Sequence, residues 1–80
     1  MHGDINPDNI LMGLAQNSGT VHLIDYGMAC SVVDKTTGKH IKFVNGKLPL
    51  GRMRFISVNQ HNGCQTSRRD DLIALGYVMI

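Results

Sequence analysis

The sequence predicts an α+β fold, with one β-hairpin near the N-terminus and one helix at the C-terminal end. Two short β-prone runs, residues 9–13 and 20–25, flank a turn-forming stretch at 16–19. Apolar residues recur at helical spacing over residues 69–80. A chain of 80 residues is long enough for at most one small domain, so both elements are expected to belong to one unit.

The hairpin is predicted behind Pro7, which opposes a helix through its own position and biases Asn6 toward extended backbone. Residues 9–13 (NILMG) form an apolar run, and residues 16–19 (QNSG) carry turn chemistry. Residues 20–25 (TVHLID) are β-prone with partial alternation. The two runs are therefore predicted as paired antiparallel strands.

The middle of the chain is predicted to be mostly irregular. Turn signals at residues 34–38 (DKTTG) and 45–46 (NG) enclose residues 40–44 (HIKFV), which are predicted as a short strand. Residues 50–67 are predicted as irregular backbone with one helical turn near 57–61.

The C-terminal helix is predicted over Arg69 to Ile80, and Asp70 and Asp71 lie in its first turn, where carboxylates suit the helix dipole. Its apolar positions at helical spacing are Leu72, Leu75, Val78 and Met79. The run stops on an apolar residue without a C-cap signal, and we interpret this as a truncated helix.

Composition narrows the function classes. A formal net charge of +2 argues against a nucleic-acid or membrane-surface protein, and there is no apolar run near the length of a membrane span. Cys30 and Cys64 are too few for a disulfide scaffold and have no Cys or His partner at metal spacing. Two inert thiols in a reducing compartment are expected, which places the protein inside the cell, in the cytoplasm, the nucleus or both.

Three polar residues carry the strongest chemical signal. Asp4 and Asn9 stand five positions apart behind His2, and Asp25-Tyr26-Gly27 begins sixteen residues after Asn9. This order is typical of the catalytic loop and the metal loop of a protein kinase. Asn9 and Asp25 lie at the two outer ends of the predicted hairpin, which would bring them together. Taken singly, each of these residues is better explained as a turn former.

Five motifs in order complete the pattern: residues 2–13 (HGDINPDNILMG), 23–29 (LIDYGMA), 57–59 (SVN), 67–72 (SRRDDL) and 75–78 (LGYV). Together they resemble the casein kinase 1 group of Ser/Thr protein kinases, including its vaccinia-related kinase branch. The resemblance extends over the whole chain, because the motifs occur in the right order and at roughly the right spacing. The SVN run stands where most kinases have Ala-Pro-Glu. In this resemblance, SVN and SRRDDL separate casein kinase 1 relatives from other kinases.

The resemblance implies that residues 1–80 are a partial protein kinase domain, a fragment of the C-lobe. This fragment would comprise the catalytic-loop β-hairpin, the activation segment and the central helix. The implied N-lobe is absent, since the 80 residues contain no Gly-rich loop, no strand Lys and no helix Glu that would pair with it. The implied activity is transfer of the ATP γ-phosphate to protein Ser or Thr, with this fragment inactive alone. The alternatives are a pseudokinase-like binding module and a non-functional remnant.

The resemblance also assigns roles to single residues. Asp4 would orient the substrate hydroxyl and accept its proton, and Asn9 and Asp25 would hold the Mg²⁺ that accompanies ATP. His2 would pack as a structural histidine, and Gly27 would let the backbone turn after Asp25.

The same resemblance places Asp71 as the residue that holds the catalytic-loop backbone from the start of the helix. A surface acid favoured by the helix dipole is the alternative, and it suits Asp70 better.

Two positions depart from active kinases. Asn6 stands two residues after the catalytic Asp, where active kinases usually have a Lys. Arg52 follows Gly51, where the same kinases usually have a Thr. One hypothesis is that Arg52 supplies the cation missing at Asn6 from across the site, because a guanidinium serves carboxylates and phosphates well. The other is that the site is degraded and Arg52 faces solvent.

A basic cluster predicts a partner. Its members are Lys47, Arg52, Arg54, Arg68 and Arg69. In the family, the residue matching Arg54 helps form an anion site for an acidic or prephosphorylated protein substrate, and arginine suits phosphate groups through bidentate hydrogen bonds. The alternative is an ordinary solvated basic face.

Overall fold

The computed structural model describes residues 1–80 and shows a mixed α/β chain with one two-stranded antiparallel sheet and few helices. In chain order the elements are a 3₁₀ turn (Pro7–Asn9), β1 (Ile10–Met12), a second 3₁₀ turn (Ala15–Asn17), β2 (Val21–Leu23), α1 (Val58–His61) and α2 (Arg68–Met79). The α+β class predicted from the sequence is confirmed at this level.

The predicted hairpin is present with shorter strands. Ile10 pairs with Leu23 and Met12 with Val21, so the strands are antiparallel and in register. One further hydrogen bond extends the ladder at the open end, where the Ile24 N–H donates to the Asn9 carbonyl at 2.9 Å. The residues that follow β2 are thereby held beside the residues that precede β1.

Both predicted helical segments are present. α1 begins at a capping box, in which the Ser57 Oγ accepts the Gln60 N–H and the Gln60 Oε1 accepts the Ser57 N–H, each at 3.1 Å. α2 begins one residue earlier than predicted, at Arg68, and has Asp70 and Asp71 in its first turn.

The strand predicted over residues 40–44 is wrong. His40 makes only an isolated bridge with Val33, across a turn in which the Asp34 N–H donates to the Lys39 carbonyl at 2.7 Å. Beyond it, Val44 accepts from the Gln65 N–H, which belongs to no strand. The β-prone side chains are there, but no second strand runs alongside them, and a strand forms only with a partner.

Buried residues are mainly polar. Only three apolar side chains are buried, those of Val32, Ile56 and Ala74. Six buried polar residues accompany them: His2, Asn6, Asn9, Ser57, Gln60 and Asp70. Every side-chain nitrogen and oxygen atom that is itself fully shielded from solvent has a hydrogen-bond partner. The interior of this chain therefore contains more hydrogen-bonded polar residues than apolar ones.

α2 leaves much of its apolar surface exposed. Leu72 and Met79 are 71% and 79% exposed, whereas Ala74 is buried. A helix with apolar side chains around its circumference is typical of a buried position. No helix in the structure has both the length and the apolar character needed to cross a membrane.

Candidate functional site

The carboxylate of Asp4 is held by two amide side chains. The Asn6 Nδ2 donates to Asp4 Oδ1 at 3.0 Å, and the Asn9 Nδ2 donates to Asp4 Oδ2 at 3.2 Å. The same two amides donate to the Asp4 carbonyl, at 3.0 and 2.9 Å. Both asparagines are buried, whereas Asp4 is partly exposed. The carboxylate is therefore fixed in position and can still be reached from solvent.

Asn6 stabilises the loop that carries Asp4. Besides donating to Asp4, its Oδ1 accepts the Asp8 N–H at 3.0 Å and so caps the 3₁₀ turn that follows. The side chain is only 1% exposed. The neutral amide of Asn6 thus stands at the position where active kinases usually have a lysine, and it contacts the Asp4 carboxylate directly.

The hairpin places Asn9 and Asp25 at its open end, as the sequence indicated. Asn9 precedes β1, and Asp25 follows Ile24, whose N–H bonds to Asn9. With its Nδ2 on Asp4, Asn9 retains an Oδ1 without a hydrogen-bond partner, and Asp25 retains an Oδ2 without one. Amide and carboxylate oxygens are ligands that suit Mg²⁺, which is commonly bound by one or two protein groups together with phosphates.

The backbone turns after Asp25 at Gly27, although Gly27 itself has no positive φ. Asp25 has a φ of 61°, in the left-handed region that few non-glycine residues adopt. The Gly27 N–H donates to Asp25 Oδ1 at 3.1 Å, and a Cβ on Gly27 would lie 3.1 Å from that same oxygen. Gly27 therefore gives room to the Asp25 carboxylate. The backbone turns over residues 26–29, where the Ala29 N–H donates to the Tyr26 carbonyl at 3.0 Å.

His2 joins the Asp4 loop to the end of β2. Its Nε2 lies 2.9 Å from the Ile24 carbonyl, and its Nδ1 accepts the Asp4 N–H at 3.2 Å. One neutral tautomer, protonated on Nε2, satisfies both contacts. The buried ring also meets the Tyr26 ring edge-on, with centroids 5.0 Å apart. Each ring nitrogen of His2 thus contacts the protein backbone.

Asp71 ties the start of the chain to α2. Its Oδ2 accepts the His2 N–H at 2.6 Å and its Oδ1 accepts the Gly3 N–H at 2.9 Å. Gly3 has a φ of 86°, and a Cβ there would come within 2.8 Å of the Met28 carbonyl. Two backbone donors before Asp4 are therefore fixed by one carboxylate that lies 69 and 68 residues away in sequence.

The expectation that Asp70 is a surface acid is wrong. Asp70 is 1% exposed; its Oδ1 accepts the Ser57 hydroxyl at 2.6 Å and its Oδ2 accepts the Ser67 N–H at 2.7 Å. Asp70 therefore links α2 to the start of α1. The Ser-x-x-Gln and Ser-x-x-Asp spacings at Ser57 and Ser67 are capping-box signatures, and they could have indicated both helix starts.

Arg52 does not reach Asp4, contrary to the hypothesis of a substituted cation. Its Nη1 lies 2.5 Å from Asp8 Oδ2, in the only ion pair of the structure. Asp4 is nearby, since a Cβ on Gly51 would lie 3.7 Å from its Oδ1. The Asp8 carboxylate, which the guanidinium reaches instead, is 65% exposed. The alternative, in which Arg52 faces solvent, holds in part: the side chain is 57% exposed, but its guanidinium is paired with Asp8.

The exposure of this ion pair leads to a prediction about stability. Both side chains are more than half exposed, and such pairs contribute about 0.2–1 kcal/mol. We expect a double-mutant cycle with Arg52→Ala and Asp8→Ala to give a coupling free energy in this range, and the coupling to shrink when salt is added. Urea unfolding at two salt concentrations measures it. A coupling well above this range, unchanged by salt, would contradict the exposed geometry.

Arg54 carries a positive charge without an acidic partner. Its guanidinium carbon lies 5.9 Å from the centre of the Phe55 ring, a cation–π distance, and Arg54 takes no part in the single ion pair. The side chain is exposed. It is therefore available to an anionic group from outside the chain.

The surface cavities do not coincide with this polar cluster. Three cavities of about 160, 180 and 660 Å³ are lined by residues between 34 and 69, and none is lined by Asp4, Asn9 or Asp25. No three His, Cys, Asp or Glu side chains come together as a possible metal cage. No model of a known protein family matches the chain.

Proposed function

We propose that this chain is the catalytic-loop and activation-segment part of a Ser/Thr protein kinase of casein kinase 1 type. The observation that carries the proposal is the arrangement around Asp4, where Asn9 contacts the carboxylate and the hairpin sets Asp25 beside Asn9. The five sequence motifs support the same reading. In this interpretation the hairpin and α2 belong to a kinase C-lobe.

Asp4 would act on the protein substrate. Phosphoryl transfer needs a carboxylate that orients the attacking Ser or Thr hydroxyl and accepts its proton. The amide donors of Asn6 and Asn9 hold the two Asp4 oxygens, so the carboxylate needs little reorganisation before it meets a hydroxyl. His2 and Asp71 fix the backbone on either side of Gly3.

Asn9 and Asp25 would hold the metal of Mg-ATP. Each has one side-chain oxygen without a partner, which fits a hard cation that prefers oxygen ligands. Bound Mg²⁺ neutralises negative charge on the ATP phosphates.

Arg54 would select the protein substrate, which is proposed to be acidic or prephosphorylated. Because the guanidinium has no acid beside it, an incoming carboxylate or phosphate gains a charge-assisted hydrogen bond.

The experiment uses a kinase chimera, in which residues 1–80 replace the matching stretch of an active casein kinase 1-type kinase. The chimera supplies the Gly-rich loop and the Lys–Glu pair that the 80 residues do not contain. Transfer of phosphate from ATP to a Ser-containing peptide is the expected result. A folded chimera that binds ATP and transfers none would count against the proposal.

Arg54→Ala in the kinase chimera tests the proposed substrate preference. We expect the preference in kcat/KM for a phosphorylated over an unmodified peptide to fall about tenfold, as the loss of one charge-assisted contact implies. Arg68→Ala is the matched control, since Arg68 is also exposed and unpaired. An unchanged preference in Arg54→Ala, or an equal loss in both variants, would remove Arg54 from substrate selection.

A pseudokinase-like binding module is the second candidate, and one observation favours it. Asn6 is neutral and buried against Asp4, and the nearest cation, Arg52, is paired with Asp8. The site thus has no free positive charge beside Asp4 to assist a γ-phosphate. Asn6→Lys in the kinase chimera separates the two functions: a catalytic site transfers phosphate without this change, whereas a pseudokinase site transfers it only after the change.

A further inference from the structure

A small basic cavity lies apart from the Asp4 site. It has a volume of about 180 Å³ and separates residues 40–43 from the residues at the start of α2. Its lining residues are His40, Ile41, Lys42, Phe43, Gln65, Thr66, Ser67 and Arg69. Arg69 belongs to the basic cluster described above, but the proposed function assigns substrate selection to Arg54 and gives no role to any residue of this cavity.

The lining carries positive charge and no acid. Lys42 and Arg69 contribute one charge each, and neither takes part in the single ion pair of the structure. The Arg69 guanidinium lies 5.8 Å from the centre of the Phe43 ring, which constrains it from one face and leaves its N–H edge for another partner. The Thr66 hydroxyl makes no hydrogen bond and adds a neutral donor.

Two acidic residues near the cavity, Asp34 and Asp70, accept hydrogen bonds from other groups of the chain. Asp70 follows Arg69 directly, but its two oxygens accept from Ser57 and Ser67 in the interior. Asp34 lines the adjacent cavity, where its Oδ1 accepts the N–H groups of Thr36 and Thr37. The positive charge of the cavity is therefore not neutralised by a carboxylate of this chain in contact with it.

The two walls of the cavity are joined by backbone. The Gln65 N–H donates to the Val44 carbonyl at 2.7 Å, next to Phe43 on one wall and Thr66 on the other. A group bound between Lys42 and Arg69 would therefore bridge two stretches of chain that are already held together.

We propose that this cavity binds a phosphoryl group, either as free phosphate or as a phosphorylated side chain of another protein. A phosphoryl group offers several acceptor oxygens, and the cavity offers a planar guanidinium, an ammonium and a hydroxyl. Six of the eight lining residues are polar or charged, and Ile41 and Phe43 are the hydrophobic members. The proposal is independent of whether the chain belongs to a kinase.

The test is an NMR titration of the 80-residue chain with inorganic phosphate at constant ionic strength. Saturable shifts of the amide signals of residues 40–43 and 65–69 are expected. Arg69→Gln should weaken the affinity about tenfold or more, as expected for loss of a charge-assisted pair. Arg68→Gln is the matched control, because it removes the same charge one residue away from a side chain that does not line the cavity.

A second titration distinguishes the two sources of the group. A phosphoserine peptide that binds tighter than inorganic phosphate identifies a protein ligand, and equal affinities identify the free ion. In either case the unphosphorylated peptide should not shift the same signals.

Equal weakening by Arg68→Gln and Arg69→Gln would overturn the proposal, since it would show only general attraction to a basic face. Shifts that do not saturate, or that lie outside the two walls, would overturn it as well. If circular dichroism shows that Arg69→Gln is unfolded, Lys42→Gln takes its place. Its control is Lys35→Gln, which removes a lysine outside all three cavities.

Discussion

Asp4→Asn in the kinase chimera is expected to lower kcat by a factor of about 10²–10⁴, the range that a positioned general base contributes. The amide has nearly the same shape as the carboxylate, so the loop should keep its position. It cannot accept a proton from a substrate hydroxyl, however. Its NH₂ group accepts no hydrogen bond, so one of the two side-chain amides that donate to Asp4, Asn6 or Asn9, loses its side-chain acceptor. Steady-state kinetics with a Ser-containing peptide measures the loss.

Asp34→Asn is the control for removal of a negative charge. Asp34 lies in an exposed turn, and an asparagine there retains the Oδ1 that accepts the Thr36 and Thr37 N–H groups. Its kcat should therefore match that of the unchanged chimera. Equal losses in the two variants would mean that Asp4 contributes only charge, and activity retained by Asp4→Asn would exclude it as the base.

Asp70→Ala is expected to give the largest loss of stability of any single substitution in the chain. The change leaves the buried Ser57 hydroxyl and the Ser67 N–H without their acceptor, and each unsatisfied group costs about 1–3 kcal/mol. The resulting loss, about 3 kcal/mol, is a large part of the stability that a domain of this size has. Urea unfolding followed by circular dichroism measures it.

Two control variants separate hydrogen bonding from other effects of the substitution. Asp70→Asn keeps an oxygen for the Ser67 N–H, and the Ser57 hydroxyl can turn to accept from the new amide, so a smaller loss is expected. Asp8→Ala removes an acid that is 65% exposed and should change the unfolding free energy by about 1 kcal/mol at most. A loss in Asp70→Ala no larger than in Asp8→Ala would contradict the described role of Asp70.

The hairpin and the two helices could be predicted because their determinants are local. The turn residues 16–19 lie next to the strands that they connect, and the capping residues of each helix lie within four positions of one another. The strand predicted over 40–44 failed for the opposite reason. Its side chains satisfy the local preference for β structure, but the neighbour it needs would have to come from elsewhere in the chain.

The proximity of Asn9 and Asp25 could be predicted because it follows from strand register. The environments of Asp70 and Arg52 could not be predicted from the sequence. Asp70 is buried because Ser57, thirteen residues earlier, donates to it, and a first-turn acid has the same local sequence whether it is buried or exposed. Arg52 pairs with Asp8 and not with the nearby Asp4, and only the folded loop determines which carboxylate the guanidinium reaches.

Binding of Mn²⁺ to the kinase chimera in the presence of ATP is the decisive measurement for the proposed metal site of Asn9 and Asp25 beside Asp4. Electron paramagnetic resonance counts free and bound Mn²⁺ without requiring turnover. We expect Asp25→Asn and Asn9→Ala each to weaken Mn²⁺ binding about tenfold or more, since each removes or weakens one oxygen ligand. Asp34→Asn should leave it unchanged. If all three variants bind Mn²⁺ with the same affinity as the unchanged chimera, Asn9 and Asp25 are not its ligands.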